Sequence, residues 1–188
     1  MISPEDLDIA IVIYDKFTYD CFNLVIDDNT PKIKVVNADI RNYYFNNQTN
    51  IDTLVSPGNS FGLMTGNYDA ALSDILGWDF QDKVQQYIKD NFYGEQVVGS
   101  SFFIKTDIEG LSLIHTPTMR YPSKIVDVSL IYHCMRSTLI CALKNDCKRI
   151  VVPAFGCQCG QVNPIDCAEL MRRAYLQILN QSGPEYQF

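Results

Sequence analysis

The sequence predicts an α/β fold, a mixed central sheet flanked by helices on both faces in three layers. Three observations predict it. Short β-branched runs in the first third lead into alternating strands and helices. The later helical stretches carry apolar residues along one face only. The run Ile150-Val151-Val152 is apolar throughout, as a strand buried on both faces requires.

Taken in order, strands are expected at Leu7–Tyr14, Phe22–Ile26, Ile33–Ala38 and Ile51–Ser56. Helices follow over about Asp69–Leu76 and Phe80–Phe92, then strands at Gln96–Lys105 and Leu111–Thr116. From Val128 the positions Val128, Ile131, Met135, Leu139 and Ala142 recur at spacings of three and four, a helix with one buried face, and Asp127 stands where its N-cap belongs. Arg149–Ala154 is a buried strand. Pro164 opens a last helix, at a position that tolerates its missing N–H, with Ile165, Ala168, Met171, Tyr175 and Leu179 inward. No internal repeat or Pro/Ser-rich linker divides the chain, so residues 1–188 are read as one domain.

The formal charge of −7 over 188 residues, with no cluster of Lys or Arg, argues against a nucleic acid as partner. It does not exclude a small anion, which backbone N–H groups bind locally. The seven cysteines show no paired C-x-x-C spacing, and the start lacks a secretory pattern, so a reducing compartment, cytoplasmic or nuclear, is expected. No apolar run approaches the roughly 20 residues of a membrane helix.

Chemistry concentrates at three strand-to-loop junctions, where ligands of open α/β sheets collect. The first is Asn37-Ala38-Asp39-Ile40-Arg41, an acid in a turn that could accept from an exocyclic amine while a neighbouring amide donates to the ring, or that could simply turn the chain. The second runs from Val55 to Leu72 through Gly58, Gly62 and Gly66, and places Asn59 in the loop and Asp69 in the first helical turn. The third, Val151 to Val162, is a buried strand entering a small-residue loop with Gly156 and Gly160.

In this order and spacing, from about Ile33 to Leu179, the three segments resemble the macro-domain family of ADP-ribose-binding proteins. They are most similar to the branch with S-P-x-N-S-F-G, P-T-M-R and P-x-x-G-T-G-x-G stretches, which read here as Ser56 to Gly62, Pro117 to Arg120 and Pro153 to Gly160. The resemblance implies that Asp39 takes the adenine amine, with the amide of Ile40 beside it. It implies Asn59 at the distal ribose and Gly66 with Asn67 along the distal ribose and diphosphate. Gly156, Cys157, Gln158, Cys159 and Gly160 would wrap the diphosphate from the other side. Phe155 either packs on the ligand or closes the core.

The chain departs from the family pattern at Gln158, where a central glycine is replaced, and at Asn67. If the backbone at Gln158 needs positive φ, strain of roughly 1 kcal/mol follows and the side chain crowds the diphosphate. Cys157 and Cys159 lack a second ligand pair for a metal, so no metal and no cofactor is expected. His115 is read first as a structural histidine, Arg120 and Tyr121 as possible borders of the ribose end, and Tyr43 to Asn47 as either a stacking lid or a surface element.

The resemblance implies ADP-ribose or ADP-ribosylated molecules as partners. It leaves two function classes, a hydrolase acting on ADP-ribosyl adducts and a non-catalytic reader, with an altered nucleotide ligand as a third. Asp69 is the carboxylate placed to act, with Asn59 beside it, and this favours the hydrolase. At a helix N-terminus Asp69 is expected to titrate at or below the ordinary carboxylate value.

Overall fold

The computed structural model of the chain describes residues 2–180. Their elements are β1 (Asp8–Ile13), α1 (Lys16–Val25), β2 (Ile33–Asn37), α2 (Ile40–Asn47), β3 (Thr53–Ser56) and α3 (Asn67–Leu76), then α4 (Phe80–Phe92), β4 (Phe102–Lys105), β5 (Ser112–His115), α5 (Leu130–Lys144), β6 (Arg149–Val152) and α6 (Pro164–Asn180). The strands form one sheet in the order β2-β1-β6-β3-β5-β4. All neighbours are parallel except the edge strand β4, which runs antiparallel to β5.

Alternation along the strands assigns the two faces. Ile9, Ile11 and Ile13 of β1 join Ile150 and Val152 of β6 in a core with Phe22 of α1, Met135 and Leu139 of α5, and Met171 of α6. Ala10, Val12 and Val151 face the other way, onto Ile40 and Tyr44 of α2, Leu72 of α3 and Val84 of α4. The result is three layers, with α1, α5 and α6 on one side of the sheet and α2, α3 and α4 on the other. This is the α/β fold read from the sequence.

One expected strand is a helix. Residues 22–25 belong to α1, with Ile26 as its C-cap, and its N-cap Asp15 accepts from the amide of Thr18 at 2.7 Å while its first turn is tied by Lys16 and Asp20. Tyr19, Phe22 and Val25, spaced by three, face the core. That inner face runs back beyond Phe22, where a run scored for β-branching does not look. Asp127 is also displaced from its expected role: it accepts from the amide and hydroxyl of Ser129, which is itself the N-cap of α5.

His115 closes β5 in a fully buried site. Its Nδ1–H donates to Gln96 Oε1 at 2.7 Å, and burial pushes its pKa down to about 3, so it is neutral. Its Nε2 has no partner and lies against Gly58, where any Cβ would overlap the ring. His115 is thus a strut under the loop that follows β3.

Gly58→Ala should destabilise the protein by about 2 kcal/mol or more through this overlap. The same substitution made in a His115→Val background should cost clearly less, as measured by urea denaturation of the four proteins. An equal cost in both backgrounds rules out the ring as the reason for the glycine.

Candidate functional site

A parallel sheet brings the carboxyl ends of its strands, and the loops leading into the next helices, to one edge. Here that edge opens into a cleft of about 810 Å3, lined from the ends of β1, β2, β3 and β6 and from the stretch after β5. Of the residues singled out in the sequence, Asp39, Ile40, Asn59, Gly66, Asn67, Asp69, Gly156, Cys157, Gln158, Cys159 and Gly160 all line it. Phe155 does not. It is fully buried in the core beside α5 and α6, so it closes the core.

Two of the loops lining the cleft present unpaired backbone amides. In the β6–α6 loop the N–H groups of Gly156, Gln158, Cys159 and Gly160 make no hydrogen bond within the described residues, whereas those of Cys157, Gln161 and Val162 are spent on Ala154, Gln158 and Gly156. In the other loop the N–H groups of Thr65, Gly66, Asn67 and Tyr68 are likewise unpaired, ahead of and within the first turn of α3. Unpaired amides converging on a cavity are a receptor for anionic oxygen.

The glycines of the two loops have different causes. Gly156 has φ of 78°, and a Cβ there would press on Ile131 Cδ1 at 2.5 Å. Packing alone demands that glycine, and Gly160 is enclosed in the same way by Ile125. At Gly66 a Cβ would meet nothing within 4 Å. Nothing packs against that position, which serves as the N-cap of α3.

Gln158 does not carry the strain expected of it. The left-handed positions are Gly156 and Gln161, with φ of 78° and 53°, while Gln158 has negative φ and its side chain is exposed at the rim. Asn67 does adopt positive φ, at 38°. Cys157 packs beneath the loop, where its hydrogen bond with Cys167, and then burial, hold its thiol far above the usual range.

Asn59 is committed to its own loop. Its Oδ1 accepts from the amides of Phe61 at 3.1 Å and Leu63 at 3.4 Å, and its Nδ2 donates to the carbonyl of Leu63 at 3.1 Å. Gln81 and Ser73 hold Met64 in the same loop from α4 and α3. Arg120 turns from the cleft to pair with Glu95, and Tyr121 stacks on Phe61. Tyr43 to Asn47 lie in α2 and do not line the cleft.

Asp69 is the buried acid of the site. Only 8% of it is exposed, and its Oδ1 accepts from Ser56 Oγ at 2.6 Å. Burial raises its pKa to about 7, with the Ser56 hydrogen bond pulling the other way. The position in the first turn of α3 favours a charged form, and desolvation outweighs it. The expectation of an ordinary or lowered value fails because sequence shows the helix end but not the depth of the side chain.

At the far end, β1 and β2 finish side by side. Asn37 Nδ2 donates to the carbonyls of Ile13 at 2.9 Å and Tyr14 at 3.0 Å, stapling the two corners. Tyr14, Asp15 and Thr18 line the cleft from β1, and sequence reading passed over them because no glycine or family motif marks them. Asp39 caps α2 through the amide of Arg41, and both its oxygens are held by the Arg41 guanidinium, at 2.9 and 2.6 Å. Arg41 reaches on to Asp74 at 2.9 Å.

Comparison with known proteins agrees with this geometry. The sequence model of the Macro domain matches residues 55–171, more than half of the chain. No curated protein sequence matches. Solved structures with the same fold include the Oceanobacillus iheyensis macrodomain with ADP, at 17% identity and a TM-score of 0.60 over 71% of this chain and 72% of that one. The macrodomain of Mycobacterium tuberculosis DarG aligns at 17% identity and 0.59, over 69% and 84%. The Trypanosoma brucei macrodomain in complex with ADP-ribose aligns at 16% and 0.59, over 71% and 53%.

The raised pKa of Asp69 sets a pH dependence of stability. Unfolded, the carboxyl titrates near 3.8, and folded near 7. Below pH 4 both states hold the proton. As pH rises to 7 the unfolded chain releases it and the folded chain does not, so stability falls, by about 4 kcal/mol once pH exceeds 7. Asp69→Asn keeps an oxygen for Ser56 and carries no charge. It should therefore raise Tm over the wild type at pH 8 by several degrees and far less at pH 4.5. The same Tm difference at both pH values contradicts the raised pKa.

Proposed function

The chain belongs to the macro domain family, and from that premise we propose that the cleft binds ADP-ribose and hydrolyses bonds made to its distal ribose. The observation that carries the binding is the two sets of unpaired amides, Thr65 to Tyr68 in one loop and Gly156, Gln158, Cys159 and Gly160 in another, which line one cavity of about 810 Å3. A diphosphate in that cavity accepts from both sets without any cation, which suits a protein of net charge −7. The open space at Gly66 is where its oxygens approach the backbone. Two solved structures of the fold are described as complexes, one with ADP and one with ADP-ribose.

With the diphosphate so held, the base extends towards the stapled corners of β1 and β2, and the distal ribose towards Asn59 and Asp69. Asp69 then acts as general base. Ser56 holds Oδ1, and Oδ2 is free to take a proton from water. The water oxygen bonds to C1″, the bond from C1″ to the leaving oxygen breaks, and the proton passes through Asp69 to the departing group. A base with a pKa of about 7 is a better proton acceptor than an ordinary carboxylate and is still half ionised at neutral pH. Asn59 shapes the loop, and substrate positioning falls to the amides.

A second reading, a reader that binds without chemistry, draws on that same commitment of Asn59, which leaves one acid to act alone.

Incubation with a peptide ADP-ribosylated on acidic side chains, and separately with ADP-ribose 1″-phosphate, separates the two. The hydrolase releases free ADP-ribose at a rate that climbs with pH up to about 7 and then levels, and Asp69→Asn lowers that rate 100-fold or more while still binding ADP-ribose. Binding by the wild type with no release from either substrate establishes the reader.

A further inference from the structure

Away from the cleft, the surface of α5 carries charge opposite in sign to that of the whole chain. The helix packs against α6 on one flank and lies over β4 and β5, and β4 is the outermost strand. Its residues His133, Arg136, Ser137, Ile140 and Lys144, spaced by three and four, form one stripe along the helix. With Gly99, Ser100 and Ser101, which lead into β4, they line a groove of about 390 Å3.

The groove is fixed from beneath. Gly99, with φ of 80°, donates its amide to the Pro117 carbonyl at 2.8 Å, and a Cβ there would press on Leu130 Cδ1 at 3.1 Å. Ser101 Oγ lies 2.6 Å from Thr116 Oγ1 and 2.8 Å from Ser137 Oγ, and Thr116 Oγ1 lies 2.8 Å from Thr138 Oγ1, so a chain of hydroxyls ties this segment to α5. The charges above are unspent. No Asp or Glu lines the groove, although the chain as a whole has a net charge of −7. Arg41, Arg120, Arg149 and Arg172 each pair with a carboxylate. Arg136 instead donates Nε–H to Gln177 Oε1 at 2.9 Å, which holds the guanidinium and leaves Nη1 and Nη2 without a partner among the described residues. Lys144 is exposed and makes no hydrogen bond or ion pair among the described residues.

We infer that this groove binds an acidic, extended segment of a partner protein, with one carboxylate on Arg136 and a second on Lys144. The two residues stand about 12 Å apart along the helix, at about 1.5 Å per residue. A single phosphate is too small to meet both while Gln177 holds Arg136. Carboxylates four residues apart on an extended chain are separated by about 13 Å, at about 3.3 Å per residue, and match that spacing. A single-stranded nucleic acid also offers a row of anions, but no Phe, Tyr or Trp lines the groove to stack its bases.

The test is fluorescence anisotropy at low salt with a labelled peptide of glycine and serine that carries glutamates at its first and fifth positions. The wild type should bind it roughly fivefold more tightly than a peptide whose two glutamates are adjacent. Lys144→Glu and Arg136→Gln should each weaken binding by roughly fivefold or more, with Tm showing that both variants are folded. Saturating ADP-ribose should leave the affinity unchanged, because the groove is separate from the cleft. No binding by the wild type, equal affinity for the two spacings, or unchanged affinity in Lys144→Glu overturns the inference. Displacement of the peptide by ADP-ribose also overturns it, by placing the peptide in the cleft. Tighter binding of a labelled oligouridylate than of the peptide overturns it in favour of a nucleic-acid surface.

Discussion

Backbone N–H groups left unpaired at one edge of a parallel sheet are the constraint on which this structure turns. Every parallel strand that feeds a helix must release its chain at the same edge, and the first amides of the helix have no carbonyl behind them. The β3–α3 and β6–α6 loops bring two such sets to the lining of one cleft. Water satisfies them in the free protein, so folding bears little cost. An oxyanion satisfies them better, because donors already fixed in place need no reorganisation to receive it. Anion binding is therefore compatible with an acidic chain, since the donors are the backbone and no basic side chain is required.

The packing beneath the loops keeps those amides turned outward. Ile125 and Ile131 close against Gly156 and Gly160 so tightly that neither could carry a side chain, and Cys157 with Cys167 fills the underside next to α6. On the other side Asn59, Gln81 and Ser73 take up the polar groups of the β3–α3 loop from within. Rigidity in both loops comes from interactions unrelated to any ligand. Of the glycines lining the cleft, Gly66 alone meets no packing constraint, and it serves as the N-cap of α3.

The layers and most elements were legible because they rest on periodicity, which a sequence displays directly. α4 was read to the residue, and the strands to within a residue or two except at 96–101, where the chain loops before β4 begins. α1 was missed at Phe22 because its inner face is set by tertiary contact with α6, with no local run to announce it. In the site, the motif segments supply most of the lining but not the β1–α1 corner, since loops reveal themselves by composition and that corner carries no motif. It did not find what each residue is doing. Asn59 and Asp39 are held by neighbours, Phe155 lies in the core, and the strain assigned to Gln158 sits at Gln161, and each of these depends on distances that spacing does not encode.

Asp69 shows how the demands of stability and chemistry meet in one side chain. A carboxyl at a helix start in water would help the helix and remain a weak base. The fold buries it instead, with one hydroxyl for company, so that its charged form is costly above neutral pH. Nothing in the packing requires an acid there, because an amide of the same shape would keep the Ser56 bond without the charge. A group that destabilises the free protein and has a neutral isostere is not explained by the fold, and on that ground a catalytic role is proposed for it.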